Sequence, residues 1–334
     1  VDANGIMTEQ NLDGDPLNDA RYLQHFCDLG TRAWRMTGLI HDQLTKGAPP
    51  TLDQVAAWQG DDLSVFALDL LPPLLAQQAT LCPNAADDAN ADICDALETL
   101  AAWDKRQTLD SVGATLFNTW LTHVVHRILK QRIAPLVLGV VGGFLYNLGA
   151  RDVVAWLTGR APAPALDWFD DPKTADVKEG FGHHASAALT ETLAQLRERF
   201  GVEPQSTWTW RKVHELRIDH IVFGDLTEGP YEMDSGPNSI NASEYSGTEA
   251  NGAVRKFPLT ATSGAIFRFC VELAGDETRG VNVLAGGQGG HVAGAHWMTQ
   301  LDKWLAHGNY PTALLRADVE AAAQETMAFP AGGR

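Results

Sequence analysis

Between Arg21 and Leu44 the apolar residues Leu23, Phe26, Leu29, Ala33, Met36, Leu39 and Ile40 recur at spacings of three and four. That period predicts an amphipathic helix, with Gly30 as an interruption inside it. Residues 1–20 read as loop, because Gly5, Gly14 and Pro16 stand among Asp and Asn. Thr51-Leu-Asp-Gln54 has the form of a capping box and predicts a helix start at Thr51. Helical spacing returns over Ala96–Trp103 and Ala114–Ile133. Pro162, Pro164 and Pro172 mark a loop, and a further helix is predicted over His183–Phe200, stopped by Gly201. After Gly201 the character changes. Ile218–Phe223, Ala265–Val271 and Val281–Leu284 are short β-branched or aromatic runs between Gly-, Asn- and Ser-rich turns, and they predict strands. A last helix is predicted over Trp297–Ala306. The chain therefore reads as α+β, mainly helical over 1–150 and mixed over 151–334, with no internal repeat.

Ile133–Tyr146 (IAPLVLGVVGGFLY) is apolar throughout, but a membrane span needs about 20 such residues and this run carries Pro135 and three glycines. It is predicted to be a buried segment. The N-terminus, VDANGIMTEQ, has neither the basic nor the apolar region of a signal peptide. Its acidic, turn-forming opening suggests a processed or truncated product.

The 334 residues correspond to two domains, or to one large domain with an elaboration. A 45% hydrophobic content supplies a core and excludes the disordered classes. Asp and Glu outnumber Lys and Arg by 42 to 25, a net charge of −17. Nucleic acid and anionic lipid both attract clustered cations, so this balance points to a small molecule or another protein as partner. Of the four cysteines, Cys82 and Cys94 bracket the polar loop LCPNAADDANADIC and read either as a loop-closing disulfide or as two free thiols. Cys27 and Cys270 lie in apolar settings that suit buried thiols.

Several groups could carry chemistry. His123 and His126 share a helix face at i, i+3 but lack the carboxylate of an HExxH site, so a packed or solvated pair is the simpler reading. His183-His184 is no stronger. Gly286-Gly-Gln-Gly-Gly-His291 lacks the Lys-Ser/Thr of a phosphate loop and reads as a turn requiring positive φ. Asn241-Ala-Ser243 is a formal glycosylation sequon. Asp13-Gly-Asp15-Pro-Leu-Asn-Asp19 is either an exposed acidic turn or a set of hard oxygen ligands for Ca²⁺, without the EF-hand spacing. Neither a GxSxG elbow nor an SxxK motif is present.

Four strings in order carry a resemblance: LAAWDKRQTLDSVGATLFNTW over Leu100–Trp120, the Trp-rich run from Ser206 to Phe223, Asn238-Ser-Ile-Asn241, and GGQGGHVAGAHWMTQLDKW over Gly286–Trp304 followed by HGNYP. Together they resemble the C-terminal part of the β chain of the penicillin acylase (penicillin amidase) family, N-terminal-nucleophile hydrolases with an αββα sandwich. The resemblance covers essentially the whole chain. It implies a precursor that cuts itself into α and β chains, and a catalytic Ser at the β-chain N-terminus whose own α-amino group is the base. Val1 has no nucleophilic group, so that Ser is expected upstream of this chain, as is the oxyanion-hole Asn; Asn4 is not assigned that role.

Within the chain, Gly30-Thr-Arg32-Ala-Trp-Arg35-Met is similar to the family's G-x-R-A-x-R-I helix. Arg32 thereby resembles the arginine that supports the oxyanion hole or positions substrate; a surface salt bridge is the alternative. Asp19 resembles the β-chain carboxylate that binds a structural Ca²⁺. The resemblance further implies a linear amide as substrate, an α subunit and an upstream β-chain segment as partners, a periplasmic or secreted location, and Cys82–Cys94 as a disulfide. The competing reading is a non-catalytic helical binding module that has lost the nucleophile.

Overall fold

The computed structural model describes residues 30–83, 91–159, 166–174, 176–220, 223–275, 278–323 and 326–327, apart from the side chains of 141–148 and of residue 225. Helices come first: α1 (Thr31–Thr45), α2 (Leu52–Trp58), α3 (Val65–Leu75), α4 (Gln78–Leu81), α5 (Ala91–Ala102), α6 (Val112–Lys130), α7 (Pro135–Thr158) and α8 (Phe181–Phe200). Strands follow: β1 (His214–Ile218), β2 (Glu228–Glu232), β3 (Ser243–Glu244), β4 (Leu259–Ala261), β5 (Ser263–Gly264), β6 (Phe267–Glu272) and β7 (Arg279–Leu284). The short α9 (Leu301–Leu305), β8 (Tyr310–Thr312) and α10 (Arg316–Ala322) close the series. The fold is α+β. It divides into two compact units, one of Asp61–Gly264 with the described residues up to Leu39, the other of Ile40–Gly60 with the chain from Ala265 on.

The first unit is organised around α6. Ser111 caps it, accepting the Ala114 N–H, and every residue from Gly113 to Val125 is buried. Phe117, Trp120, Leu121, Val124 and Ile128 meet Leu70 and Leu74 of α3, Leu97 and Leu100 of α5, and Ala185, Leu189 and Leu196 of α8 in one apolar cluster. Each such fully buried side chain contributes about 1.5–3 kcal/mol. A helix buried on all sides must also answer its polar side chains. Thr119 and Thr122 turn their hydroxyls back to the carbonyls of Thr115 and Asn118, at 2.7 and 2.9 Å. Trp120 Nε1 reaches the Ala185 carbonyl at 2.9 Å. Cys82 and Cys94 are disulfide-bonded, with Cα atoms 5.3 Å apart, tying the end of α4 to the first turn of α5. Closing a loop of this length contributes ~2–3 kcal/mol by restricting the unfolded chain.

The apolar run Ile133–Tyr146 opens α7, with Pro135 at its start. The expected burial does not hold there: Leu138 is buried, but Leu136, Val137 and Val140 are exposed. One side of this turn meets the unit and the others do not. Among the described residues no helix is long and apolar enough to cross a membrane.

β1 is the centre of a three-stranded sheet, antiparallel to β2 and parallel to β4. It lies just before the predicted Ile218–Phe223, because pairing with β4 through His214↔Leu259 and Leu216↔Ala261 recruits the charged sequence HELRI. In the second unit β6, β7 and β8 form an antiparallel sheet. Leu52 and Ala56 of α2 pack on its Cys270, with Val55 and Val281 beside them. The Thr51 capping box closes in both directions, Gln54 N–H to Thr51 Oγ1 at 3.3 Å and Thr51 N–H to Gln54 Oε1 at 2.9 Å. The predicted helix over Trp297–Ala306 shortens to α9, since Met298 takes a positive φ of 56° that no helix continues through.

Buried His214 is stacked on Trp210 with ring centroids 4.4 Å apart. Its Nδ1–H donates to the Leu259 carbonyl at 2.7 Å, leaving Nε2 to accept from Ser243 Oγ at 3.0 Å. Burial lowers its pKa to about 4, against the pull of the Leu259 bond and the Asp234 charge. Between that value and the ordinary histidine value near 6.5 the unfolded chain takes up a proton that the fold refuses. Stability therefore rises with pH across this window and levels off above it. Urea midpoints measured from pH 4 to pH 8 should show this rise in the wild type and a shallower one in His214→Asn; equal slopes would exclude His214 as its source.

Candidate functional site

The motif helix α1 places Arg32 in its first turn and Arg35 one turn later on the same face, both half-buried. Arg35 is gripped by Asp61: Nε donates to Oδ1 at 2.9 Å and Nη2 to Oδ2 at 2.7 Å. Asp61 and Asp62 are buried and lie between α2 and the Ser64 cap of α3. Arg106 bridges them, with Nη1 2.5 Å from Asp62 Oδ1 and Nη2 3.4 Å from Asp61 Oδ2. Two arginines and two carboxylates thus form one chain of alternating charge, balanced within itself. Nη1 of Arg35 has no partner among the described residues.

Backbone pairing fixes this chain in place. Leu63 and Arg106 form an antiparallel bridge, flanked by Ser64 N–H to Lys105 O at 2.9 Å and Gln107 N–H to Asp62 O at 3.2 Å. The Asp61 carbonyl also accepts the Asn241 N–H at 3.0 Å. Gln107 links the site to α6: its Oε1 accepts from Asn118 Nδ2 at 2.8 Å and its carbonyl from the Ser235 N–H at 2.7 Å. A Cβ on Gly236 would stand 2.2 Å from Gln107 Oε1, so a side chain there would displace the Gln107 amide. Tyr245 OH donates to Asn118 Oδ1 at 3.0 Å and ties the segment from Asp234 to Tyr245 to the core, while Asn241 Nδ2 to Ser235 Oγ at 2.7 Å braces that segment internally.

The electrostatics follow from this placement. Burial alone would push the Asp61 carboxyl up, but the Arg35 fork and the charges of Arg35 and Arg106 outweigh it and hold the group below the usual carboxylate range. For Asp62 burial prevails: its carboxyl is raised despite Arg106, and the Asp234 charge adds to the effect. Arg106 is desolvated, yet Asp62 and Asp61 keep it more basic than a free guanidinium. As a chemical device the cluster is a fixed guanidinium support. It can hold a planar donor edge in one orientation for a carbonyl or carboxylate oxygen.

Other sequence candidates are distributed differently. Asp19, with Asp13, Asp15 and Asn4, lies outside the described residues. Among the described residues no three His, Cys, Asp or Glu side chains converge as a metal site. His123 Nε2 pairs with Gln195 Oε1 at 2.7 Å, and His126 Nε2 with the Gly252 carbonyl at 2.9 Å. His184 Nε2 pairs with the Phe169 carbonyl at 2.7 Å. Burial lowers the pKa of His126 and of His184. These are packed histidines. Gly286 has the expected positive φ, 100°, and the loop folds back so that Gly289 N–H meets His296 O at 3.2 Å. Asn241 of the sequon is fully buried, and its amide is consumed by Ser235. Asp61, Asp62 and Arg106 were not legible as site residues. The available hint was an acidic doublet placed directly before a capped apolar helix.

Residues 2–321 match the penicillin amidase family. Among solved structures the chain is similar to the thermostable penicillin G acylase from Alcaligenes faecalis, at 16% identity and a TM-score of 0.51, over 95% of this chain and 55% of that one. At that identity the likeness speaks to the fold alone. The chain spans about half the length of the solved relative. No curated protein matches it. The family match runs through α1, the Asp61–Arg106 cluster and the Gly286 loop, and the chain belongs to the penicillin amidase family.

Proposed function

We propose that this chain is part of an amidohydrolase that cleaves a linear amide, of the penicillin or N-acyl side-chain type, through an acyl-enzyme. The observation that carries this reading is the family match over residues 2–321. The nucleophile is an N-terminal Ser upstream of this chain, activated by its own α-amino group. Its oxygen attacks the amide carbonyl, the amine leaves with the proton taken from the Ser, and water then releases the acid. Negative charge develops on the carbonyl oxygen in both steps, and donors held at that position stabilise it, each by about 2.7–4 kcal/mol. Arg32 is assigned to support that oxyanion site or to position the substrate, from the first turn of a helix whose next turn is pinned by Asp61.

Asp19 is proposed as one ligand of a structural Ca²⁺. This ion takes six to eight oxygens, so the remaining ligands must come from other residues of the complete enzyme. The partners are the α subunit and the upstream β-chain segment of the same precursor. A periplasmic or secreted location is supported by the Cys82–Cys94 disulfide, since such bonds persist in oxidising compartments.

The complete processed enzyme, assayed on phenylacetyl and fatty-acyl 4-nitroanilides, should release nitroaniline. If neither anilide is cleaved, the amidase reading fails in favour of a binding module. Arg32→Ala should lower kcat/KM by roughly tenfold or more while the chains still co-purify; unchanged kinetics would remove Arg32 from the site. Chelation should lower the Tm of the wild type but not that of Asp19→Asn, and equal responses would remove Asp19 from the metal site.

A further inference from the structure

We propose that Asp61 is a positioning residue for amide hydrolysis: it grips one edge of the Arg35 guanidinium and so presents the opposite edge, Nη1, to an oxygen of the substrate. This rests on the amidase reading above. Arg35 is otherwise a long side chain with several rotatable bonds. The two-point contact, 2.9 Å from Nε and 2.7 Å from Nη2, fixes both its position and the plane of the group. A single hydrogen bond would leave that plane free to turn.

Asp61 is itself held from two sides. Its carbonyl holds the Asn241 N–H, its Oδ2 takes Arg106 as a second cation, and Arg106 is anchored on Asp62 and in the Leu63 bridge. The carboxylate therefore cannot follow the arginine if the arginine moves. Opposite the gripped edge, Nη1 has no partner among the described residues, and the side chain keeps 19% of its exposure. An edge of this kind, planar and permanently charged, is complementary to a carbonyl oxygen gaining negative charge or to a product carboxylate. Asp61 touches neither substrate nor nucleophile in this scheme and acts through Arg35.

The test uses the complete processed enzyme and the two anilides named above, with kcat and KM measured well below the Tm of each variant. Asp61→Asn and Arg35→Lys should each lower kcat/KM by ~10- to 100-fold, mainly in kcat, the scale of effect of misplacing a reacting group by about an ångström. Asp61→Glu should restore most of the loss. The double variant Asp61→Asn/Arg35→Lys should be no worse than the poorer single, because both changes break one unit. A purely structural tie would lower Tm in these variants and leave their kinetics within about twofold of wild type, and that result overturns the proposal. Should Asp61→Asn not fold, Arg35→Lys, altered at a partly exposed side chain, decides by the same criterion. A wild type that cleaves neither anilide refutes the amidase reading itself, a result distinct from active enzyme with indifferent variants.

Discussion

A helix with no solvent-facing side over most of its length sets the terms for the first unit. From Gly113 to Val125 α6 is buried, and its apolar residues bring α3, α5, α7 and α8 into a single core. The same burial makes each polar side chain on it an obligation, because an unmet donor or acceptor costs about 1–3 kcal/mol. The threonines settle theirs locally, along the helix. Asn118 does so only in part. Its Nδ2 meets the Ala114 carbonyl at 2.9 Å, but its amide also reaches outward to Gln107 and to Tyr245, and those two contacts tie the helix to the segments that carry the charged cluster.

From Gln107 the path is short. It shares a backbone pairing with Asp62, receives the Ser235 N–H, and stands beside Arg106. Two adjacent buried carboxylates would be untenable without cations, and the two available come from distant parts of the chain. Removing one partner of such a pair leaves an uncompensated buried charge and typically costs about 3–5 kcal/mol. The cluster is thus less a source of stability than a specification: its two carboxylates are compensated only where Arg35 and Arg106 reach them. A member of the penicillin amidase family built this way can hold an arginine edge in place without involving it in the apolar core.

Much of the architecture was legible in the sequence. Periodicity located α6 and α8 to within three residues and the later part of α5, and Thr51-x-x-Gln54 gave a cap that forms both of its hydrogen bonds. The motif around Arg32 and Arg35 placed both arginines on one helix. Where reading by pattern failed, long-range contacts decided. β1 is a strand because β4 lies beside it, although HELRI has a weak strand composition. The apolar start of α7 looked buried, yet apolar character does not say how many sides of a helix a unit covers. Asp61 and Asp62 could not be recognised, because their partners lie 26, 44 and 45 residues away in sequence and no spacing rule spans such separations.

Asn118 of α6 holds the charged cluster in place through Gln107. Amide hydrogen exchange, comparing wild type with Asn118→Ala, tests it most directly. The amides of Gln107, Ser235 and Asn241, which donate to Asp62, Gln107 and Asp61, should lose protection together and by more than the interior amides of α8. If those three keep their wild-type protection while only α6 exchanges faster, the core helix does not support the site.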